Sequence, residues 1–185
     1  MGSGRSKEHT KTMGLILTAL MIALVFIAGS IIRIPTFNGF IQPGDCMVFT
    51  SAVLLGKKKG FVAGAVGMAL VDIGAGYLMW APFTFIIKGL MVLTVAAILD
   101  RKEKRSMKLY IGAFIVGAIV NLIGYFIGNA IMGGVITGAT TGLMGSILYA
   151  ASHFVGDLSE VVVGLIIAIP LAPIANNARR RFLAQ

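Results

Sequence analysis

Long apolar runs separated by short polar or basic breaks dominate the chain. The first, Met13 to Ile32, carries no charge until Arg33. The second is short, about Cys46 to Leu55, and extends back through Asp45 towards Pro43. The third, Phe61 to Met79, is interrupted only by Asp72, and the fourth, Phe83 to Leu99, only by Lys88. The fifth, Leu109 to Met132, contains Asn121 and Asn129. The last reaches from near Leu143 to near Ile174 and carries His153, Asp157 and Glu160. At 1.5 Å per residue it would measure about 48 Å, more than one straight crossing of a ~30 Å hydrocarbon layer. The expected form is a bent or broken element whose true span is Leu158 to Ile174. Six spans of ~20 residues each leave room only for short connections. The predicted fold is an all-α membrane domain of six transmembrane helices over 13–176, with a polar segment at 1–12 and a basic tail at 177–185.

Composition agrees. The 185 residues are 57% hydrophobic and 12% charged, against roughly 25% charged in soluble domains. A soluble enzyme of this size could not bury that apolar surface, and a disordered chain would not carry it. Net charge is +9. In a soluble protein that excess would suggest nucleic acid; here the bases cluster between apolar runs, the topogenic pattern of a membrane protein, so no nucleic-acid partner is expected. With the N-terminus in the cytoplasm, inside segments hold 14 of the 16 Lys and Arg, outside loops hold only Arg33, and Lys88 lies within a span. The positive-inside rule therefore puts both termini in the cytoplasm. Cys46 is the one cysteine, so no internal disulfide forms.

Inside loops are short and basic, as in Gly56-Lys-Lys-Lys-Gly60. The first and third outer loops, Arg33 to Gly44 and Gly133 to Gly142, are longer and nearly uncharged. Apolar residues there, Phe37 and Phe40 among them, are expected to pack over a cavity as a lid. No P-loop, G-x-S-x-G or H-E-x-x-H pattern occurs. ATP chemistry and typical hydrolysis are therefore not expected of this chain, and uphill transport would draw on a partner or an ion gradient.

Ionisable residues inside spans cost at least ~2.5–3.5 kcal/mol unless paired or solvated, so each needs a reason. Asp72 and Lys88 flank the turn between runs three and four at similar depth. They read either as a buried ion pair fixing the hairpin or as a Lys88 that faces a pocket. His153, Asp157 and Glu160 fall at i, i+4 and i+7 on one helical face. That spacing suits a metal, but Cys is absent there and other ligands are scattered, so a polar face lining a cavity is expected, with no metal and no cofactor. Asn121 and Asn129 share a face, as helix–helix glue or as partners for a polar ring edge. Phe37, Phe40, Tyr77, Trp80, Phe83 and Tyr125 gather towards the outer half, as an interfacial belt or, at Trp80 and Tyr125, as a stack for a flat ligand.

The pattern resembles the S component, the substrate-binding membrane subunit, of energy-coupling factor (ECF) vitamin transporters. The resemblance runs from about Lys11 to Arg181. It rests on the size, the Ala19/Ala23 pair, Pro43-Gly44-Asp45, the Leu55 to Gly64 turn, Asp72, the stretch Pro82 to Met91, and Gly156-Asp157-Leu158. It implies a plasma-membrane protein of a prokaryote that binds a vitamin or precursor from outside, in a pocket of the outer half covered by the first and third outer loops. It implies docking on a membrane T component driven by two ATPase subunits, with Ala19 and Ala23 as the docking contact. The Phe85-Ile-Ile-Lys-Gly-Leu90 stretch is most similar to hydroxymethylpyrimidine or pyridoxine members. Trp80, Lys88, Asn121, Tyr125, Asn129, His153 and Asp157 are then the candidate ligand contacts. Pantothenate, with Lys88 against its carboxylate, is the runner-up. A stand-alone proton-coupled transporter using Asp72 or Glu160 is a further alternative.

Overall fold

The computed structural model describes residues 2–31, 33–36, 39–102, 105–136, 138 and 142–183; of residues 2–10, 34–36, 39, 40, 135, 182 and 183 it describes the backbone alone. Helix α1 is Gly2–Ile31, α2 Gly44–Gly74, α3 Ala81–Leu99, α4 Met107–Ile131 and α5 Gly142–Leu183. A π-helical turn, Met132–Ile136, extends α4. Among the described residues, four helical stretches are long and apolar enough to cross a membrane: Lys11–Ile31, Ala81–Leu99, Met107–Gly134 and Gly142–Arg181.

Helix α2 is two arms. Gly56 interrupts it with φ 72° and ψ −163°, a conformation that glycine alone adopts without strain. The chain reverses there. The Ser51 hydroxyl reaches the Gly60 carbonyl at 3.2 Å, and Gly64 lies against Val48. The first arm, 44–55, is about 18 Å long and the second, 57–74, about 27 Å. Only the second approaches the thickness of a hydrocarbon layer.

Contacts along the helices give their directions. Gly14 meets Lys59, Gly67 meets Val25, and Gly29 meets Val71, so α1 and the second arm run parallel. Gly124 meets Ile87 and Gly117 meets Val95, so α3 and α4 run antiparallel. Asn176 and Arg179 of α5 return to the end where α4 begins. Both described ends of the chain therefore lie at one end of the bundle. That end is fastened by two arginines: Arg105 and Arg179 each donate to the Val53 carbonyl at 3.3 Å and share the Asp100 carboxylate at 3.0 and 3.4 Å. Nearby, Ser106 caps α4, its hydroxyl accepting the Leu109 N–H; such a cap satisfies one of the orphan donors of a helix start.

The first outer loop adds a short hairpin to the expected all-α fold: Ile34–Thr36 pairs antiparallel with Gly39–Ile41, Pro35 opposite Phe40. Of the bent or broken form expected of the last element, the break is absent. Helix α5 runs without interruption over 42 residues, about 63 Å, despite Pro170 and Pro173 within it. Helix α4 and the π turn accompany most of it, from Gly134 beside Ser146 and Gly133 beside Tyr149 down to Arg105 beside Asn176.

The core lies between α2, α3, α4 and α5, with Phe49, Met91, Val95, Phe114 and Ala168 buried. Leu15, Ile16, Leu20, Ile123 and Ile166 face outward, as they would towards lipid.

Candidate functional site: a buried lysine between two carboxylates

Lys88 is the centre of the polar interior. It sits mid-way along α3 and is fully buried, 0% exposed. Its ammonium donates to Asp45 Oδ1 at 2.6 Å and to Glu160 Oε1 at 3.2 Å. It also lies 4.8 Å from the centroid of the Tyr125 ring, within range of a cation–π attraction. A lone ammonium in this interior would be very costly. Two carboxylates and an aromatic face supply the compensation.

The partners come from separate elements, each placed by local structure. Asp45 is in the first turn of α2, where the helix dipole favours an anion. Gln42, just before the helix, accepts the Gly44 N–H on its side-chain oxygen and donates its amide to Glu160 Oε1 at 3.0 Å. Glu160 is in the middle of α5. Gly164, one turn on, has no side chain because a Cβ there would stand 2.6 Å from the Asp45 Cβ. That close approach brings α5 against the start of α2.

A second layer lies towards the end of the bundle where α3 begins. The Tyr125 hydroxyl and Thr84 Oγ1 are 3.2 Å apart. The Asn129 amide donates to Asp157 Oδ2 at 3.0 Å, joining α4 to α5. Trp80 packs on Phe83 and Tyr125, with centroids 5.9 and 6.3 Å away. His153 stacks on Tyr149 at 4.5 Å, its Nδ1 2.9 Å from the Tyr149 carbonyl.

Among the described residues, three buried oxygens on this polar interior have no hydrogen-bond partner within the protein: Asp45 Oδ2, Asp72 Oδ2 and Asn121 Oδ1. Asn121 is 1% exposed and shares a face of α4 with Tyr125 and Asn129. Buried polar atoms are normally satisfied, so a group of unmatched acceptors has the chemistry of a binding surface for hydrogen-bond donors.

Of the two readings of Asp72 and Lys88, the ion pair between them is not the one formed: Lys88 pairs with Asp45 and Glu160. Asp72 instead lies beside Thr84, one turn from Lys88. Equal depth in a hairpin fixes height and not the direction in which a side chain projects. Lys88, Tyr125, Trp80, Asn129 and Asp157 are linked through the contacts above, and Asn121 stands one turn from Tyr125. His153 is engaged locally with Tyr149 and Ser152. Among the described residues no group of three or more His, Cys, Asp or Glu could hold a metal. Phe37 falls outside the described residues, and Phe40 is in the second strand with only its backbone described. Ala19 and Ala23 are exposed on α1. Sequence reasoning did not single out Gln42 or Thr84, used Asp45 only as part of the family resemblance, and placed Glu160 on a polar face lining a cavity or, in the alternative, as a proton carrier. The available signal was Asp45 itself, an acid opening an otherwise apolar run.

Comparison with known proteins gives two findings. Residues 9–177 match the family model described as "ECF-type riboflavin transporter, S component". A Pyrococcus woesei protein described as "Uncharacterized protein in gap 3'region" is 32% identical over 143 residues, covering 74% of this chain and 82% of that protein. The matched stretch takes in every helix and all of the Lys88 network, and on that ground the chain belongs to the S-component family of ECF-type transporters, the membrane-embedded substrate-binding subunits.

Proposed function

We propose that this chain captures a vitamin or vitamin precursor at the outer face of the plasma membrane of a prokaryote. It passes the ligand inward by docking on a T component driven by two ATPase subunits. The chain passes along the bundle six times, the short first arm of α2 completed by the loop before it, and its basic end faces the cytoplasm. The observation that carries the reading is the Lys88–Asp45–Glu160 cluster, buried among helices that are otherwise apolar. Replacing such a cluster with packed apolar side chains is often neutral or stabilising, so stability alone is a weak reason to keep it.

The ligand we favour is a small flat ring with nitrogen and hydroxymethyl arms, hydroxymethylpyrimidine or pyridoxine. Lys88 is already matched by two carboxylates and offers a ligand carboxylate no spare cation, which weighs against pantothenate. The unmatched atoms at Asp45, Asp72 and Asn121 are acceptors and suit a ring bearing N–H and O–H donors. Trp80 and Tyr125 supply aromatic faces. Riboflavin, named in the family's description, is a larger ring of the same donor-bearing kind. Ala19 and Ala23 are the proposed docking contact, because small side chains let helices approach closely without burying charge.

Mass spectrometry of small molecules released from the purified, denatured protein tests this. A stoichiometric pyrimidine, pyridoxine or flavin supports the reading and names the ligand. A stoichiometric carboxylate vitamin would keep the transport role and overturn the choice of ligand. An empty protein whose uptake follows a proton gradient without ATPase partners would overturn the role itself.

A further inference from the structure

The basic end of the bundle holds a cavity, remote from the Lys88 network. It has a volume of about 610 Å³ and lies between α1 and α5 over the end of the first arm of α2. Met13 and Leu17 of α1, Leu54, and Ile174 of α5 make it apolar, while Asn177 and Arg181 give it one polar end. Helix α1 packs chiefly against α2, which leaves the cleft between α1 and α5 open along its side. Leu15, Ile16 and Ile174 are exposed beside it.

Basic groups gather around the cleft. The Lys59 ammonium lies against Gly14, next to Met13. Arg179 lies against Gly56, two residues beyond Leu54, and Arg180 and Arg181 are exposed. No acidic side chain lines the cavity among its described residues. Asp100 is held by Arg105 and Arg179. The depth is also matched: the spans of α1 and α5 terminate at Lys11 and Arg181, so the polar end of the cleft lies at headgroup level and its apolar length in the acyl region.

We propose that this cleft binds an acidic phospholipid, with one acyl chain along Met13, Leu17, Leu54 and Ile174 and the phosphate at Arg181 and Asn177. An apolar trough with a cationic mouth is the form of site in which basic pockets between transmembrane helices hold acidic headgroups. A partner helix would fill the apolar trough equally well but would leave Arg181 at its mouth without a function. The proposal rests on the placement of α1 and α5 in the membrane and not on the identity of the vitamin.

The test is native mass spectrometry of the full chain purified in detergent and equilibrated with equal amounts of phosphatidylglycerol and phosphatidylcholine. The expected result is one phosphatidylglycerol retained per chain, with a preference of about fivefold for each basic group engaged. Arg181→Glu is expected to reduce the preference to near parity. Leu17→Trp, which fills the trough, is expected to abolish retention of both lipids, and Ala178→Trp serves as a second filling variant if the first fails to fold. Equal retention of the two lipids by the unaltered chain would overturn the proposal. So would variants that retain phosphatidylglycerol normally but no longer assemble with a T component, since the cleft would then be a seat for protein.

Discussion

Lys88 carries the clearest residue-scale consequence. Removing it alone strands two carboxylates in a dry interior, and breaking a buried pair in this way costs about 3–5 kcal/mol. Lys88→Met should therefore lower the thermal midpoint in detergent steeply. The triple variant Lys88→Met/Asp45→Asn/Glu160→Gln removes the charges together and should recover most of that stability. It should still bind ligand at least tenfold more weakly than the unaltered chain, by titration calorimetry. Recovery of both stability and affinity would make the cluster purely structural. Lys88 was legible in the sequence because a charge in an apolar run stands out. Its partners were not, because Asp45 read as the close of a loop and Glu160 is 72 positions away in the chain. Periodicity reports which face of a helix a residue occupies and says nothing of what faces it.

At the scale of the elements, close helix approach is what assembles the network. Gly164 admits α5 against Asp45 with no room for a Cβ. Gly164→Val should cost about 1–3 kcal/mol, the usual penalty of overpacking, and should separate Glu160 from Asp45. Ligand affinity is expected to fall further than stability, by comparing titrations with thermal melts; a melt shift with unchanged affinity would remove Gly164 from the site. Helix α1 makes the complementary case, since Ala19 and Ala23 are exposed on it and bury no part of the network. Ala19→Trp and Ala23→Trp should leave ligand affinity within about twofold. They should reduce ATPase-dependent uptake about tenfold or more, which is the effect of losing only ~1.4 kcal/mol of docking energy. Normal uptake by both variants would refute the docking assignment. The helices themselves were legible as apolar runs. The hairpin in α2 was signalled by Gly56 beside three lysines. The uninterrupted course of α5 was not, because its length and its polar face argued for a break.

For the whole molecule, the distribution of charge and the course of the chain lead to one topology. Lys59 beside Gly14, Arg105, and Arg179 beside Gly56 gather at one end of the bundle, and the turn bearing Leu78 and Trp80 is at the other. Lys and Arg near the ends of spans are retained in the cytoplasm, so the end with both described chain ends should face inward. The chain suits a direct measurement because its only cysteine, Cys46, is buried and should stay silent to an impermeant thiol reagent. Single cysteines at three exposed positions then report sidedness: Lys11→Cys near the start of α1, Arg180→Cys near the end of α5, and Leu78→Cys in the opposite turn. In intact cells only Leu78→Cys should label; in inside-out vesicles only Lys11→Cys and Arg180→Cys should. Labelling of Lys11→Cys and Arg180→Cys from opposite sides would contradict the fold, because the contacts along α1, α2 and α5 place them at one end. Labelling of both from outside would preserve the fold and invert it in the membrane. The pocket, the direction of transport and the acidic-lipid site would then all have to be reassigned to the other face.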